Sequence, residues 1–248
     1  MAENEERQKN IWLCIEELCR HIKANCTDMK IHGNAVVIQA LVSFQIGSIQ
    51  EVIDELEEFS ASNRFGNQSS VLLSKAYAML NKKEKSECYT QISMYDNIIN
   101  LLANATFYLW THSENLAVCE ETIDRIEHVA EVYQISKLNP NSLLSFEYHA
   151  AICYLGHGNI QKALEHIDKY IQNLFELFST TDLRLHGDAY FDKIEDWFDK
   201  ELDNGTNAPR NRKVVLADAK KTLDVPPFTI LNGNTEFEKL KCKLKELN

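Results

Sequence analysis

Four side chains of the types that bind zinc lie close together near the N-terminus: Cys14, Cys19, His21 and Cys26. Apolar residues in the same stretch recur every three or four positions, which predicts one amphipathic helix: Ile11, Ile15, Leu18 and Ile22. On such a helix Cys14 and His21 lie within about 20° of each other. Cys19 and Cys26 form a second close pair, about 130° away around the helix. Because one helix cannot wrap both pairs around one ion, we predict structural thiols and no metal site.

The other residues capable of acid–base or metal chemistry are scattered along the chain. His149, His157 and His166 are eight and nine positions apart, a spacing that no helix turns into a chelate. Adjacent acids such as Glu120 and Glu121 are typical of solvated helix faces. The sequence contains no GxSxG, HExxH, P-loop or GxGxxG motif. We therefore predict no catalytic residue and no cofactor, and we expect that the protein is not an enzyme.

A row of uncharged polar side chains favours binding instead. In the stretch SMYDNIINLLANATFYLWT these side chains recur at helical spacing: Ser93, Asn97, Asn100, Asn104, Tyr108 and Thr111. The other flank of this helix is apolar and is predicted to be core: Ile98, Leu101, Leu102 and Ala105. Asparagine is a poor helix former because its amide competes for backbone hydrogen bonds. Helix formation alone therefore does not explain three asparagines on one face.

Two interpretations of this row are open. An Asn amide donates and accepts hydrogen bonds at once, which suits the backbone of an extended peptide. Under this hypothesis the row holds a bound peptide. Alternatively, the row is an accidental uncharged stripe, or its amides bond locally inside the protein.

The stretch from Asn141 to Asn173 indicates the architecture that would position this row. Its apolar spacing predicts two amphipathic helices joined by a turn at residues 156–159. The residues around the turn resemble a tetratricopeptide repeat: a small residue at Ala151, an aromatic at Tyr154, Gly158 in the turn and Ala163 at the closest helix approach. The sequence departs from that pattern at Glu147 and Ile167, where the family usually has aromatic residues.

Helical pairs of this kind bury their apolar faces only in arrays, so the chain should contain more of them. A second pair is predicted over 34–60 and a third from about Ser69, with breaks near Gly47, Asn81 and residues 113–115, which are 32 to 34 positions apart. Further helices are predicted over 115–137, 189–202 and 235–247. The resemblance implies an all-α protein, a right-handed α-solenoid of tetratricopeptide-like hairpins over residues 1–205 with a C-terminal helical cap over 206–248.

The end of the chain carries a second resemblance. The segments FDKIEDWFDKEL, GTNAPRNRK and NGNTEFEKLKCKLKEL look like the closing part of tetratricopeptide-type sensor domains in helix-turn-helix regulators of Gram-positive bacteria. This resemblance implies binding of a short peptide and control of a DNA-binding or partner-binding module. No helix-turn-helix is predicted ahead of the repeats. We therefore expect either a free-standing sensor that acts through a protein partner or a sensor part without its DNA-binding portion.

Composition bounds the remaining classes of function. Eight glycines and four prolines in 248 residues are few for many short strands, which favours helices. The net charge of −11 argues against nucleic-acid binding by the chain alone, although residues 206–248 carry +4. The seven cysteines show no CxxC spacing, and no signal peptide or apolar membrane span is evident. We expect a cytoplasmic location with reduced thiols and no membrane contact.

The predicted function is therefore binding of a peptide or protein segment on the concave face of the array. In helical-repeat proteins the first helix of each pair lines that face. The residues predicted to bind the ligand come from two such helices: Asn97, Asn100, Asn104, Tyr108, Tyr148 and Ile152. The alternative is a constitutive scaffold or homodimerisation module that has no small ligand and uses exposed apolar patches.

Overall fold

The computed structural model describes residues 2–46, 48, 66–179, 183, 185–201 and 211–247. Within these ranges the protein is all-α: the backbone forms helices, turns and loops, and no strand. The chain divides into two compact units, residues 1–69 and 70–248. No helix in the described ranges is long and apolar enough to cross a membrane.

The first unit contains a pair of helices, α1 (Ala2–Asn25) and α2 (Met29–Ile46). The carboxylate of Asp28 begins α2 by accepting hydrogen bonds from the backbone amides of Lys30 and Ile31 at 2.9 and 3.1 Å. On α1 the predicted apolar stripe is only partly covered, since Ile11 and Leu18 are 50% and 59% exposed. The four candidate zinc ligands do not converge. Cys14 is exposed, Cys19 is buried and Cys26 is half-buried.

The remaining helices follow in chain order: α3 (Gly66–Met79), α4 (Lys83–Thr111), α5 (Leu116–Val132), α6 (Ile135–Leu138), α7 (Pro140–Gly156), α8 (Ile160–Leu177), α9 (Glu195–Glu201), α10 (Arg212–Ala219) and α11 (Thr235–Lys245). Two 3-10 turns, Thr222–Asp224 and Phe228–Leu231, lie between α10 and α11.

Asparagine side chains fix where the central helices begin. Asn115, Asn139 and Asn159 precede α5, α7 and α8. Each accepts a hydrogen bond from a backbone amide in the first turn of its helix, at 3.2 or 3.3 Å. These bonds satisfy backbone donors that have no partner inside the helix. Short breaks capped by asparagine therefore divide this part of the chain into antiparallel helices.

The predicted hairpin at residues 141–173 is present as α7 and α8. Ala151 and Ala163 are completely buried, and the Tyr154 side chain is 3% exposed. Gly158 has a φ of +72°, a left-handed conformation that glycine adopts without strain. Ala151, Tyr154, Gly158 and Ala163 therefore have the burial and the turn geometry that a hairpin of two closely packed helices requires.

Helices α4 and α7 lie side by side and run in the same direction. Near the start of α7, the Asn139 side chain donates a hydrogen bond to the Tyr95 hydroxyl at 2.8 Å. Beyond the ends of both helices, His157 Nε2 lies 2.8 Å from the carbonyl oxygen of Ser113. Both contacts join residues 44 positions apart. Because the sequence separation between contacting residues is the same at both ends of the two helices, the helices must run parallel.

Helices α5 and α8 are related in the same way. Lys162 Nζ contacts Glu120 Oε1 at 2.5 Å, and Lys169 Nζ contacts Glu127 Oε1 one heptad further along. Both pairs are 42 positions apart. Two successive helical pairs, α4–α5 and α7–α8, therefore lie in register with each other.

Three helices differ from the sequence prediction. The stretch from the Asn81 break to Thr111 is one helix of 29 residues, longer than a repeat helix. The helix predicted over 115–137 is interrupted at Tyr133 and Gln134, because Gln134 has a left-handed φ of 49°. The helix predicted over 189–202 begins only at Glu195 after a series of turns. The predicted break at Gly47 and the predicted helix end at Gly205 lie outside the described residues.

The second unit has two apolar clusters. The first joins α4, α5 and α7 to the segment after α8, through Phe191, Ile194 and Phe198. The second surrounds α8 and includes residues of the C-terminal helices: Ala219, Leu223, Phe228, Leu231, Phe237, Leu240, Leu244 and Leu247. The helices after residue 211 therefore pack on α8. Lys243 of α11 also contacts Asp168 of α8 at 2.6 Å.

Candidate functional site

The predicted polar row lies on an uncovered face of α4. Asn97, Asn100, Asn104, Tyr108 and Thr111 are all exposed. Ser93, which the sequence pattern placed in the same row, is buried at 9% exposure. The row therefore begins at Asn97 and runs to the end of the helix.

Large apolar side chains flank the asparagines on this face: Leu101 at 45% exposure, Phe107 at 61%, Tyr108 at 46% and Trp110 at 63%. The assignment of Leu101 to the core is wrong. Leu101 lies about 40° around the helix from Asn97 but about 100° from Leu102, so it belongs to the amide face. The rings of Phe107 and Trp110 contact each other with centroids 5.3 Å apart.

No charged residue lies within the length of this face, and the exposed Asp96 directly precedes it. The sequence from Asn97 to Thr111 contains no Asp, Glu, Lys or Arg. Among the residues that the structure describes, no hydrogen bond or ion pair involves the side chains of Asn97, Asn100 or Asn104. The amides are therefore directed to solvent and are able to bond to a ligand. We call the exposed residues Asn97, Asn100, Leu101, Asn104, Phe107, Tyr108, Trp110 and Thr111 the amide face.

The two predicted ligand residues on α7 have a different environment. Tyr148 and Ile152 are half-buried and pack against the second apolar cluster. The Tyr148 ring lies edge-on to Phe228 at 5.3 Å between centroids. The 44-residue offset places Tyr148 level with Asn104 along the helices. The Tyr148 ring is nevertheless not exposed, because the C-terminal segment covers it.

A cleft of about 540 Å³ lies beside Tyr148, between α7, α8 and α10. Its walls include Ser145, Tyr170, Val215 and Thr222. The Tyr170 hydroxyl donates a hydrogen bond to Thr222 Oγ1 at 3.3 Å. Burial raises the pKa of the Tyr170 hydroxyl, so this group is a neutral hydrogen-bond donor at physiological pH. The cleft shares no lining residue with the amide face of α4, and its walls also carry one acid and one base, Asp218 and Lys221.

The structure brings together three titratable side chains that the sequence pattern left apart. Glu127 of α5, Glu147 of α7 and His166 of α8 have potential ligand atoms within 4.8 Å of one another. His166 Nδ1 lies 2.6 Å from Glu147 Oε2 and 3.8 Å from Glu127 Oε1. Spacing along one helix excluded His166 from a chelate, but three separate helices assemble this cluster.

Some of these candidate functional residues could have been recognised from their residue type and sequence context. Phe107 and Trp110 are large aromatics in a stretch without charges, and both are exposed. Glu147 occupies a position where the resembling repeat has a large aromatic, and it is 4% exposed. A carboxylate at a predicted core position breaks the apolar pattern and indicates a buried polar contact.

Comparisons with protein-family models, with curated proteins and with solved structures found no match for this chain.

Proposed function

We propose that this protein is a helical-repeat module that binds a peptide or a protein segment, and that it is not an enzyme. The observation that carries the proposal is the amide face of α4, which presents three asparagines and four large apolar side chains without a charge. Ordinary solvated helix faces are rich in charged residues, as on α5 and α8. An exposed face of this composition suits hydrogen bonding to a peptide backbone together with apolar side-chain contacts.

The spacing of the amides matches an extended peptide. Asn97 and Asn104 are seven residues apart on a helix, or about 10.5 Å along its axis. An extended chain advances about 3.3 Å per residue, so three peptide units cover the same distance. The whole face, from Asn97 to Thr111, is about 21 Å long and would hold about six or seven extended residues.

We propose a right-handed α-solenoid as the scaffold of this site. The support is the repeated register, with α7 following α4 at an offset of 44 residues and α8 following α5 at 42. Repeat proteins stack similar helical pairs in this manner. The offset exceeds the 34 residues of a tetratricopeptide repeat because α4 is long and α6 is inserted before α7. The handedness rests on the resemblance of the α7–α8 hairpin to that repeat.

Peptide binding would regulate a partner through the shape of the array. The curvature of a solenoid is a sum of small angles between units, so a ligand that orders one face shifts the whole population of shapes. The resemblance of the C-terminal segment to bacterial sensor domains leads us to propose a transcription regulator as the partner. We place the protein in the cytoplasm, because no disulfide joins its cysteines within the described ranges.

The test uses a library of uncharged peptides of about seven residues and the full chain. At 100 times its dissociation constant a ligand raises the unfolding free energy by about 2.7 kcal/mol, which melting experiments detect. The double variant Asn100→Ala, Asn104→Ala should lose this shift. Gln161→Ala, which removes an exposed amide on α8, should keep it.

The lack of charge on the amide face provides a second test, the salt dependence of peptide binding. Because the amide face is neutral, the affinity of a selected peptide should change little between low and high salt. Absence of any peptide that stabilises the wild type, or equal stabilisation of wild type and double variant, would refute peptide binding at this face.

A scaffold or homodimerisation module is the second candidate, and α2 favours it. This helix exposes a second apolar stripe in addition to its buried face, at Val37, Leu41 and Phe44, which are 43%, 61% and 60% exposed. If copies associate through the stripe, sedimentation should give a dimer whose population rises with concentration. Leu41→Glu should then yield a folded monomer. A monomer at all concentrations for the wild type contradicts this candidate.

A further inference from the structure

The cluster of Glu127, Glu147 and His166 lies away from the amide face and has a composition that α-helical cores rarely contain. Glu147 and His166 are 4% and 5% exposed, and Glu127 is half-buried. Removing a carboxylate and an imidazole from water is unfavourable unless strong partners replace the water. A buried ion pair often contributes no more to stability than an apolar pair of the same size. Stability of the fold therefore gives little reason for these residues.

The three side chains are held in place by their surroundings. Each comes from a different helix, so the packing of α5, α7 and α8 determines the distances between them. The Tyr154 ring stacks on the His166 ring, with centroids 5.3 Å apart and planes 18° apart. This contact restricts tilting of the imidazole, and Nδ1 lies on the side of the two carboxylates. The site is thus organised before any ligand arrives, which reduces the entropy cost of binding.

The cluster opens toward a groove between α5 and α8. The groove is about 510 Å³ and its walls carry further carboxylates, including Glu120, Asp124 and Glu165. Lys162 and Lys169 also line it. A polar groove of this kind gives a hydrated cation a path to the buried donor atoms, and the surplus of carboxylates attracts positive charge.

We propose that Glu127, Glu147 and His166 bind one divalent first-row transition-metal ion. One imidazole nitrogen and two carboxylate oxygens are donors that Mn²⁺, Fe²⁺ and Zn²⁺ accept, whereas Mg²⁺ and Ca²⁺ prefer oxygen donors alone. Three protein ligands leave at least one coordination position for water or for another molecule from the groove.

The distances in the cluster require only small movements. Ligands at about 2.0–2.1 Å from a tetrahedral ion are about 3.3 Å from each other. His166 Nδ1 lies 2.6 Å from one carboxylate oxygen and 3.8 Å from the other. Lengthening the first separation by about 0.7 Å and shortening the second by about 0.5 Å would bring both to that value. Side-chain rotation provides shifts of this size without movement of the helices.

Lys169 competes with the ion in this proposal. Its ammonium group contacts the Glu127 oxygen that would bind the metal. The Lys169 side chain is 43% exposed, so it is able to turn into solvent when an ion replaces its charge.

The experiment is a titration of the full, chelator-treated chain with MnCl₂ alone, in which electron paramagnetic resonance measures the free Mn²⁺. Mn²⁺ is the probe because the seven cysteines would bind Zn²⁺ elsewhere. The wild type should bind one ion. Glu147→Gln and Glu127→Gln should each weaken binding at least about tenfold, the effect expected even for a supporting residue. Glu114→Gln, in the exposed turn before α5 and away from the groove, should bind as the wild type does.

Lys169→Met provides a result that a merely structural cluster would not give. Removal of the competing ammonium group should strengthen Mn²⁺ binding, because Lys169 then no longer occupies the Glu127 oxygen that would bind the metal. Glu127→Gln leaves the buried pair of Glu147 and His166 intact, so it tests the site even if Glu147→Gln fails to fold. The proposal is overturned if the wild type shows no saturable Mn²⁺ binding. It is also overturned if Glu127→Gln and Lys169→Met both bind Mn²⁺ with wild-type affinity.

Discussion

The side-chain amide of Asn139 donates a buried hydrogen bond of 2.8 Å to the hydroxyl of Tyr95. The side-chain oxygen of the same asparagine accepts a hydrogen bond from the backbone amide of Ser142 and so caps the N-terminus of α7. One residue thus both starts a helix of the second pair and connects it to the middle of α4 in the first. The Tyr95 ring lies in turn against Phe191, Trp197 and Phe198, which come after α8.

Tyr95→Phe tests the contribution of this bond. The substitution keeps the ring contacts but leaves the buried Asn139 amide without its acceptor. We expect a loss of about 1–2 kcal/mol in unfolding free energy, measured by urea titration. Tyr190→Phe is the control, because Tyr190 is 60% exposed and its hydroxyl remains solvated. An equal loss for both variants would show that the Tyr95 hydroxyl has no special role.

The turn between α7 and α8 offers a matched pair of glycines. A Cβ at Gly156 or at Gly158 would meet no atom within 4 Å, so steric clash is absent at both. Only Gly158 has a positive φ, at +72°. Gly158→Ala should destabilise the protein by about 1–2 kcal/mol, because an L-residue is strained in the left-handed region. Gly156→Ala, at the end of α7, should stabilise by about 0.5–1 kcal/mol. Melting curves of the two variants should shift in opposite directions.

The asparagines of the amide face should reduce stability. Their side chains make no bond to other described residues, and Asn is a weaker helix former than Ala by about 0.5 kcal/mol. Replacement of Asn97, Asn100 and Asn104 by alanine should therefore raise the unfolding free energy by about 1–1.5 kcal/mol. A fall in stability would mean that the amides bond within the protein, which is one of the alternatives left open by the sequence. A rise in stability would exclude local bonding and leave ligand binding and an accidental uncharged stripe, which the peptide titration distinguishes.

Local patterns predicted the α7–α8 hairpin well. Ala151, Gly158 and Ala163 act through neighbours close in sequence, so spacing along two helices was enough to assign their roles. The common face of Asn97, Asn100 and Asn104 was predictable for the same reason, since it depends on the geometry of one helix. Leu101 and Leu102 lie about 100° apart around the helix, on opposite sides of the boundary between its exposed and buried faces. Leu101 was misassigned because apolar character alone does not decide on which side of that boundary a residue lies.

The rest of the candidate sites depends on residues distant in sequence. Tyr148 is covered by Phe228, eighty positions later, and no periodicity in α7 indicates that contact. Glu127, Glu147 and His166 meet only because α5, α7 and α8 pack in one register. Their spacing along the chain is set by helix and loop lengths, so a search for chelating motifs within one helix excluded them.

Alkaline pH should destabilise the protein in part through two buried acids whose pKa is raised to about 12. Burial raises the pKa of the Cys153 thiol from 9.0 to about 12, and its contact with Cys119 adds to the effect. Burial likewise raises the pKa of Tyr95 from 10.0 to about 12, while the hydrogen bond from Asn139 acts in the opposite direction. The folded state therefore holds both protons more tightly than the unfolded state. Their stabilising contribution is complete below pH 9 and is lost as the pH rises to about 12.

The expected loss is up to about 1.4 kcal/mol per pH unit for each group within that window. Urea titrations from pH 8 upward should show it. Tyr95→Phe removes one of the two acids, so its stability should fall less steeply above pH 10 than that of the wild type, from a lower starting value. Cys242→Ala, which removes an exposed thiol, should follow the wild-type curve. If Tyr95→Phe and the wild type lose stability in parallel up to pH 12, the Tyr95 hydroxyl ionises as readily in the folded protein as in the unfolded chain. Burial of the Tyr95 hydroxyl would then not be what holds its proton.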